Sequence, residues 1–165
     1  MIVAHATGYD SDKVITGIAG KKGFSVLTIE KDLMNSEVGF GRKVLEVLEE
    51  NDISFEHLPS GIDTMSVVLS TSAIEGRRDR LMQSISRMVR PDSVFIEDGL
   101  ALVAVVGRGM VKSKGTSARV CDALANSGVN IRIIDQGSSE LNIIVGVDED
   151  SYEDAVRAIY AEFCS

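Results

Sequence analysis

Sliding the chain along itself by 76 residues lays Met34 on Met110, Gly39 on Gly115, Val44 on Val120, Leu48 on Leu124 and Gly61 on Gly137, without a gap from Ser25 to Leu69. Between these identities the exchanges keep their physical role: Lys43 with Arg119, Glu46 with Asp122, Ile53 with Val129, Leu58 with Ile134 and Met65 with Leu141. A self-match of this length marks a duplicated structural unit. It constrains the fold strongly, because a local reading of one copy has to hold for the other. In 165 residues that are 44% hydrophobic, each copy sits near the lower size at which a domain folds on its own.

Each copy opens on a run of aliphatic and β-branched residues, 24–30 and 100–106, suited to a covered strand. A helical stripe follows: Phe40, Val44, Leu45, Val47 and Leu48 in the first copy, and Val120, Cys121, Leu124 and Ala125 in the second. Two strands joined by a turn come next, 54–58 with 65–70 and 131–135 with 141–147. Leu81, Met82, Ile85, Met88 and Val89 predict a second helix, matched by Tyr152, Ala155, Val156, Ile159, Tyr160 and Phe163. The first copy then adds a strand at 93–96 before a turn at 97–99, completing the ferredoxin-like β-α-β-β-α-β order.

The second copy reaches Ser165 one strand short, while 14–19 forms a spare strand ahead of the first copy. The spare strand is expected to fill the vacant edge of the second unit, so that the first unit is inserted in the second and an aggregation-prone edge is covered. The expected fold class is α+β: two ferredoxin-like units with antiparallel sheets and helices on one face. The expected boundaries are a leader over 1–13, a first unit over 21–98, and a second unit of 14–20 plus 99–165.

The balance of 17 basic against 25 acidic residues gives a formal charge of -8, which disfavours nucleic acid and anionic membrane partners. No apolar run approaches the roughly 18 residues of a membrane helix, and two cysteines are too few for a disulfide framework or a zinc site. A soluble, cytoplasmic protein is expected.

The residues resemble the tandem ACT domains at the C-terminal end of aspartate kinases, the lysine-sensitive type above all. The resemblance runs from about Val14 to the end and rests on Ile15-Thr16-Gly17-Ile18-Ala19, Val38-Gly39-Phe40-Gly41, the stretch 55–63 (Phe-Glu-His-Leu-Pro-Ser-Gly-Ile-Asp) and the stretch 134–140 (Ile-Asp-Gln-Gly-Ser-Ser-Glu). It implies a regulatory module that performs no chemistry of its own and binds an end-product amino acid, with feedback inhibition as the result. ATP and magnesium would belong to a kinase domain preceding this region, 1–12 would be the tail of the link to it, and the chain would be an excised piece of the longer enzyme or, as the alternative, a natural stand-alone subunit. A homodimer is also implied.

In such pairs the inhibitor lies against the loop after the first strand and the start of the first helix. That places Met34, Glu37, Val38, Gly39, Phe40 and Gly41 as ligand-binding candidates. Free N–H groups at a helix N-terminus suit a carboxylate, and glycines let a ligand approach the backbone; the alternative is that the glycines only ease a tight turn, and the resemblance favours binding. The resemblance adds Ser54, Phe55 and Glu56 on the next strand. Glu56 offers a carboxylate to the second ammonium of lysine, or it is an ordinary solvent-facing strand residue. The hairpin over 59–64 is longer than the shortest lysine-type pattern and resembles kinases that respond to lysine with or without threonine, so threonine is the alternative ligand.

The Gly107-Arg108-Gly109 run lacks the Gly-Lys-Ser/Thr ending of a P-loop. His5 and His57 have no metal-ligating neighbours at suitable spacing, Cys121 reads as a small core hydrophobe and Cys164 as a terminal thiol, and neither sits in a nucleophilic arrangement. No catalytic residue and no metal site are expected. The rival readings are a ferredoxin-like enzyme and a dimerisation scaffold that binds no ligand.

Overall fold

The structure, a computed structural model, describes residues 2–3 and 14–164. Most of the expected leader, and His5 with it, lies outside the described residues. The chain divides into two compact units, Gly23–Asp98 (the first unit) and Met1–Lys22 with Gly99–Ser165 (the second). In chain order the elements are β1 (Ile2–Val3), β2 (Gly17–Glu30), α1 (Phe40–Glu50), β3 (Thr64–Ser70), α2 (Thr71–Ile74), α3 (Arg78–Val89), β4 (Ser93–Val106), α4 (Thr116–Asn126), β5 (Ile131–Asp135), β6 (Asn142–Asp148) and α5 (Tyr152–Cys164).

In the first unit β3 runs antiparallel to β2, with Leu27 opposite Val67 and Ile29 opposite Met65. On its other side β2 neighbours β4, where the Asp92 amide donates to the Glu30 carbonyl at 2.9 Å. The apolar stripes of α1 (Phe40, Val44, Val47, Leu48) and α3 (Leu81, Ile85, Val89) share one buried cluster with Leu27, Ile29, Val67 and Leu69. Both helices therefore cover the same face of the sheet. Leu45, expected in the stripe, is turned outward and 36% exposed.

The second unit repeats the plan. β6 lies between β4 and β5, with Val103 opposite Val145 and Val105 opposite Ile143. Val120 and Leu124 of α4 join Ala155 and Ile159 of α5 over Val103, Val105, Ile143 and Val145. Burying a leucine such as Leu124 fully contributes about 1.5–3 kcal/mol. The vacant strand position beside β4 is taken by β2, as the Thr16 amide donating to the Val106 carbonyl at 2.7 Å marks. The ferredoxin-like order is thus completed by the leading strand, and the first unit is inserted in the second.

Two local expectations need correction. The turn at 97–99 does not form: β4 continues through Glu97-Asp98-Gly99, as β2 continues through Gly20-Lys21-Lys22-Gly23. Gly23 and Gly99 take positive φ of 87° and 74° inside these strands, so each glycine bends a strand without ending it. The strand expected over 54–58 is an irregular edge with isolated bridges at His57 to Val68 and Ser60 to Met65. There Glu56 donates its amide to the Val68 carbonyl at 2.8 Å, while the Val68 amide returns to His57 at 2.9 Å. Two residues oppose one, a bulge, and Pro59 follows without an N–H to extend a ladder.

Candidate functional site

The first unit gathers its loop candidates where β2 ends. After Glu30 the chain turns back through 31–39 before α1. Lys31 donates its amide to the Asp63 carbonyl at 2.9 Å, Leu33 to the Asp63 carboxylate at 3.1 Å, and Asn35 to the Ile62 carbonyl at 3.1 Å. On the other side Asp32 donates its amide to Oδ2 of Asp92 at 2.7 Å. These bonds hold Leu33 at φ 58°, in the left-handed region that a leucine rarely enters. Met34–Ser36 form a short 3-10 turn, and Gly39 at φ 83° delivers the chain into α1.

Within this loop Met34 and Phe40 point into the core at 5% and 4% exposure, and Val38 projects into solvent at 96%. The positive φ of Gly39 by itself requires glycine there, and a Cβ would meet nothing within 4 Å, so the surface beside the helix start is open. Gly41 is different. No positive φ demands glycine, and the second copy carries Ser117 at the matching place.

Glu37 has two partners. Its Oε1 accepts from Lys43 at 2.7 Å and its Oε2 from Lys31 at 2.5 Å. The Lys31 ammonium also donates to the Val89 carbonyl at 2.6 Å, at the last residue of α3, and lies 5.8 Å from the centre of the Phe40 ring. Lys31 first, then Lys43, hold the Glu37 carboxyl below the usual carboxylate range. Lys31 and Lys43 escaped the sequence reading of the site, although basic, acidic and basic residues at 31, 37 and 43 are evenly spaced.

Ser54, Phe55 and Glu56 are exposed on the outer edge of the sheet, beside β3, Phe55 by 44%. They do not join the loop set within one chain. Ser60, opposite Met65, marks the loop end of the sheet, and four residues of extended chain, about 13 Å, separate it from Glu56. Among the described residues no group of three His, Cys, Asp or Glu side chains could hold a metal ion. No helix among them is long and apolar enough to cross a membrane.

Residues 103–163 match the ACT domain family. The chain is 43% identical over 150 residues to aspartokinase 3 of Bacillus subtilis, which covers 90% of this chain and 33% of the relative. The solved aspartate kinase of Clostridium acetobutylicum shares 52% identity at a TM-score of 0.87, over 90% of this chain and 34% of that one. The chain is similar to the ACT-domain part of aspartokinases. It spans about a third of the length of these relatives. E. coli aspartokinase III in complex with lysine and aspartate has the same fold in its matching part, with a TM-score of 0.75 and 24% identity over 96% of this chain and 35% of that one. The ACT match falls within the second unit, whereas the ligand candidates fall in the first.

Proposed function

We propose that this regulatory region senses an end-product amino acid, lysine in the first place and threonine in the second, and thereby restrains an aspartate kinase activity carried by the remainder of a longer protein. The observation that carries the reading is the open helix start at Gly39-Phe40-Gly41. Gly39 leaves free space there, and Gly41 is a glycine that the turn does not require. Backbone amides at such a terminus suit the ligand carboxylate. Met34, Glu37 and Val38 belong to the same loop and complete that half of the site.

Ser54, Phe55 and Glu56 supply the other half, with Glu56 facing the side-chain ammonium of lysine. Their distance from the loop within one chain favours a homodimer in which two copies pair along the open edge. The lysine complex of E. coli aspartokinase III supports lysine as the first ligand to try. ATP and magnesium would be handled by the kinase part, in the cytoplasm. Inhibition would follow from tighter binding to one arrangement of the paired regions, a coupling of typically about 1–3 kcal/mol.

Calorimetric titration with lysine, threonine and methionine tests this. Lysine binding that weakens about tenfold or more in Glu56→Ala is expected; a lost charge-assisted hydrogen bond is worth about 1.5–3 kcal/mol. Binding of threonine alone would reassign the ligand. No heat and no shift in melting temperature with any of the three would leave a dimerisation scaffold, since a ligand at 100 times its dissociation constant adds about 2.7 kcal/mol.

A further inference from the structure

The duplication supplies an internal control for what the loop of the first unit needs. Gly39 and Gly115 have the same conformation, φ 83° and ψ 9° against φ 83° and ψ 7°, and each starts a helix of the same length. Yet of the three charged groups around the first turn only Lys43 has a charged equivalent in the second. Lys31 corresponds to Gly107, Glu37 to Ser113, and Lys43 to Arg119. Arg119 turns away from its loop, binding Glu162 at 2.6 Å and lying 4.3 Å from the centre of the Phe163 ring. The glycine turn into the helix therefore forms without a Lys-Glu-Lys clasp, and the clasp belongs to the loop ahead of it, where a 3-10 turn spans Met34–Ser36 in the first unit and Arg108–Lys112 in the second.

The Lys31 ammonium joins parts that are far apart in sequence. It meets the Glu37 carboxylate in the middle of the loop, the Val89 carbonyl at the negative end of α3 and the face of Phe40 at the start of α1. A carboxylate, a helix C-terminal carbonyl and an aromatic face are each favourable to an alkylammonium ion. Lys43 ties the same carboxylate to the first turn of α1. The opposite side of the loop is already fixed to Asp63 and Ile62. The clasp thus adds a further tie to a segment that holds Leu33 in a disfavoured conformation and is also bonded to Asp92 through the Asp32 amide.

We propose that Lys31, acting through Glu37 and Val89, is the positioning residue that fixes the amino-acid-binding loop of the first unit and sets the affinity of the site. The inference rests on the sensing role proposed above. Lys31 touches no ligand in this scheme; it holds Val38, Gly39 and Gly41 in the arrangement a ligand meets. The matching loop of the second unit, which has no clasp, would bind the same amino acid at least tenfold more weakly.

The test uses the full chain as wild type, Lys31→Met, Lys31→Ala, Lys31→Arg and Lys43→Met. Lysine and threonine titrations are run beside thermal melting and amide hydrogen exchange of 31–41 and 107–117. Lys31→Met should bind the amino acid at least tenfold more weakly, with exchange in 31–41 accelerated to a similar extent and 107–117 unchanged. Lys31→Arg should recover most of the affinity, and n-butylamine, but not n-butanol, should restore part of it to Lys31→Ala. Unchanged affinity in both Lys31→Met and Lys43→Met, while wild type binds, would overturn the clasp and leave the sensing role intact. Loss of the folded state in Lys31→Met would also overturn it, because the clasp would then belong to the fold. Wild type silent toward both amino acids would overturn the sensing role, and this inference with it.

Discussion

The two strand-to-helix loops, 31–39 and 107–115, share the methionines Met34 and Met110 and the left-handed glycines Gly39 and Gly115 but are stabilised differently. In the first, Lys31 reaches back over the loop to Glu37 and to the end of α3. In the second, the matching Gly107 cannot carry a side chain, because a Cβ there would lie 2.4 Å from the Val14 carbonyl oxygen and 2.6 Å from Cα of Ile15. A side chain at this place in the second loop would collide with the leading segment, whereas Lys31 has room to reach Glu37 and Val89. The comparison teaches that one duplicated plan can carry a charged tie in one loop and exclude a side chain at the matching place in the other.

The cores should behave alike in the two copies. Leu48→Ala and Leu124→Ala remove matching, fully buried side chains and should each cost about 2–5 kcal/mol in urea unfolding. A cost well below that range in one copy only would break the equivalence of the units. Gly107→Ala is expected to destabilise by about 1–3 kcal/mol, the usual range for forcing atoms into filled space. A neutral Gly107→Ala would mean that crowding by the leading segment is not what keeps a clasp out of the second loop.

Smaller and equal effects are expected at the paired turn glycines. Gly39→Ala and Gly115→Ala place a side chain on the same left-handed backbone and should each cost about 1–2 kcal/mol in the same assay. An excess at Gly39 in ligand affinity, beyond equal losses of stability, would sharpen the assignment of the first unit as the sensor.

The least effect on the whole protein, and the most local one, concerns pH. The folded-state pKa of Glu37 is depressed by Lys31 and Lys43. Its contribution is therefore present above the unfolded carboxylate value of about 4.3 and is lost as pH falls through the lower folded value. Hydrogen exchange in 31–41 should quicken in that acid window before 107–117 responds, and Glu37→Gln should remove the pH dependence. A simultaneous response of both loops would deny the clasp a separate role.

Much of the fold was legible because repetition and periodicity are properties of the chain itself. The buried stripes of α1 and α3, and Val120 with Leu124 on α4, follow from 3.6-residue spacing. The spare strand followed from counting elements in two copies of one plan. The turn expected at 97–99 does not form because Gly99 punctuates a sequence in the same way whether it ends a strand or bends one. The edge over 54–58 departs from a regular strand because β-branched and aromatic residues reveal strand preference but not whether two residues will face one across a ladder. Even the gapless self-match conceals a difference: His57 bridges Val68, but the matching Ile133 pairs with Gly146, two positions beyond the match of Val68. A shift of two preserves which side chains face the core, so the hydrophobic pattern cannot detect it.

For the site, the sequence by itself determined which residue types stand at the helix start, including the glycine that a left-handed turn requires. It also determined the duplication and, through resemblance, the class of protein. Only the tertiary structure decided that Met34 and Phe40 face the core, that Ser54, Phe55 and Glu56 occupy a separate edge, and that Lys31 spans from its loop to the Val89 carbonyl. The physical reason is range. Backbone conformation and periodic burial are set within a few residues, whereas a charge finds its partner only after packing has brought positions as far apart as 31 and 89 within a hydrogen bond of each other.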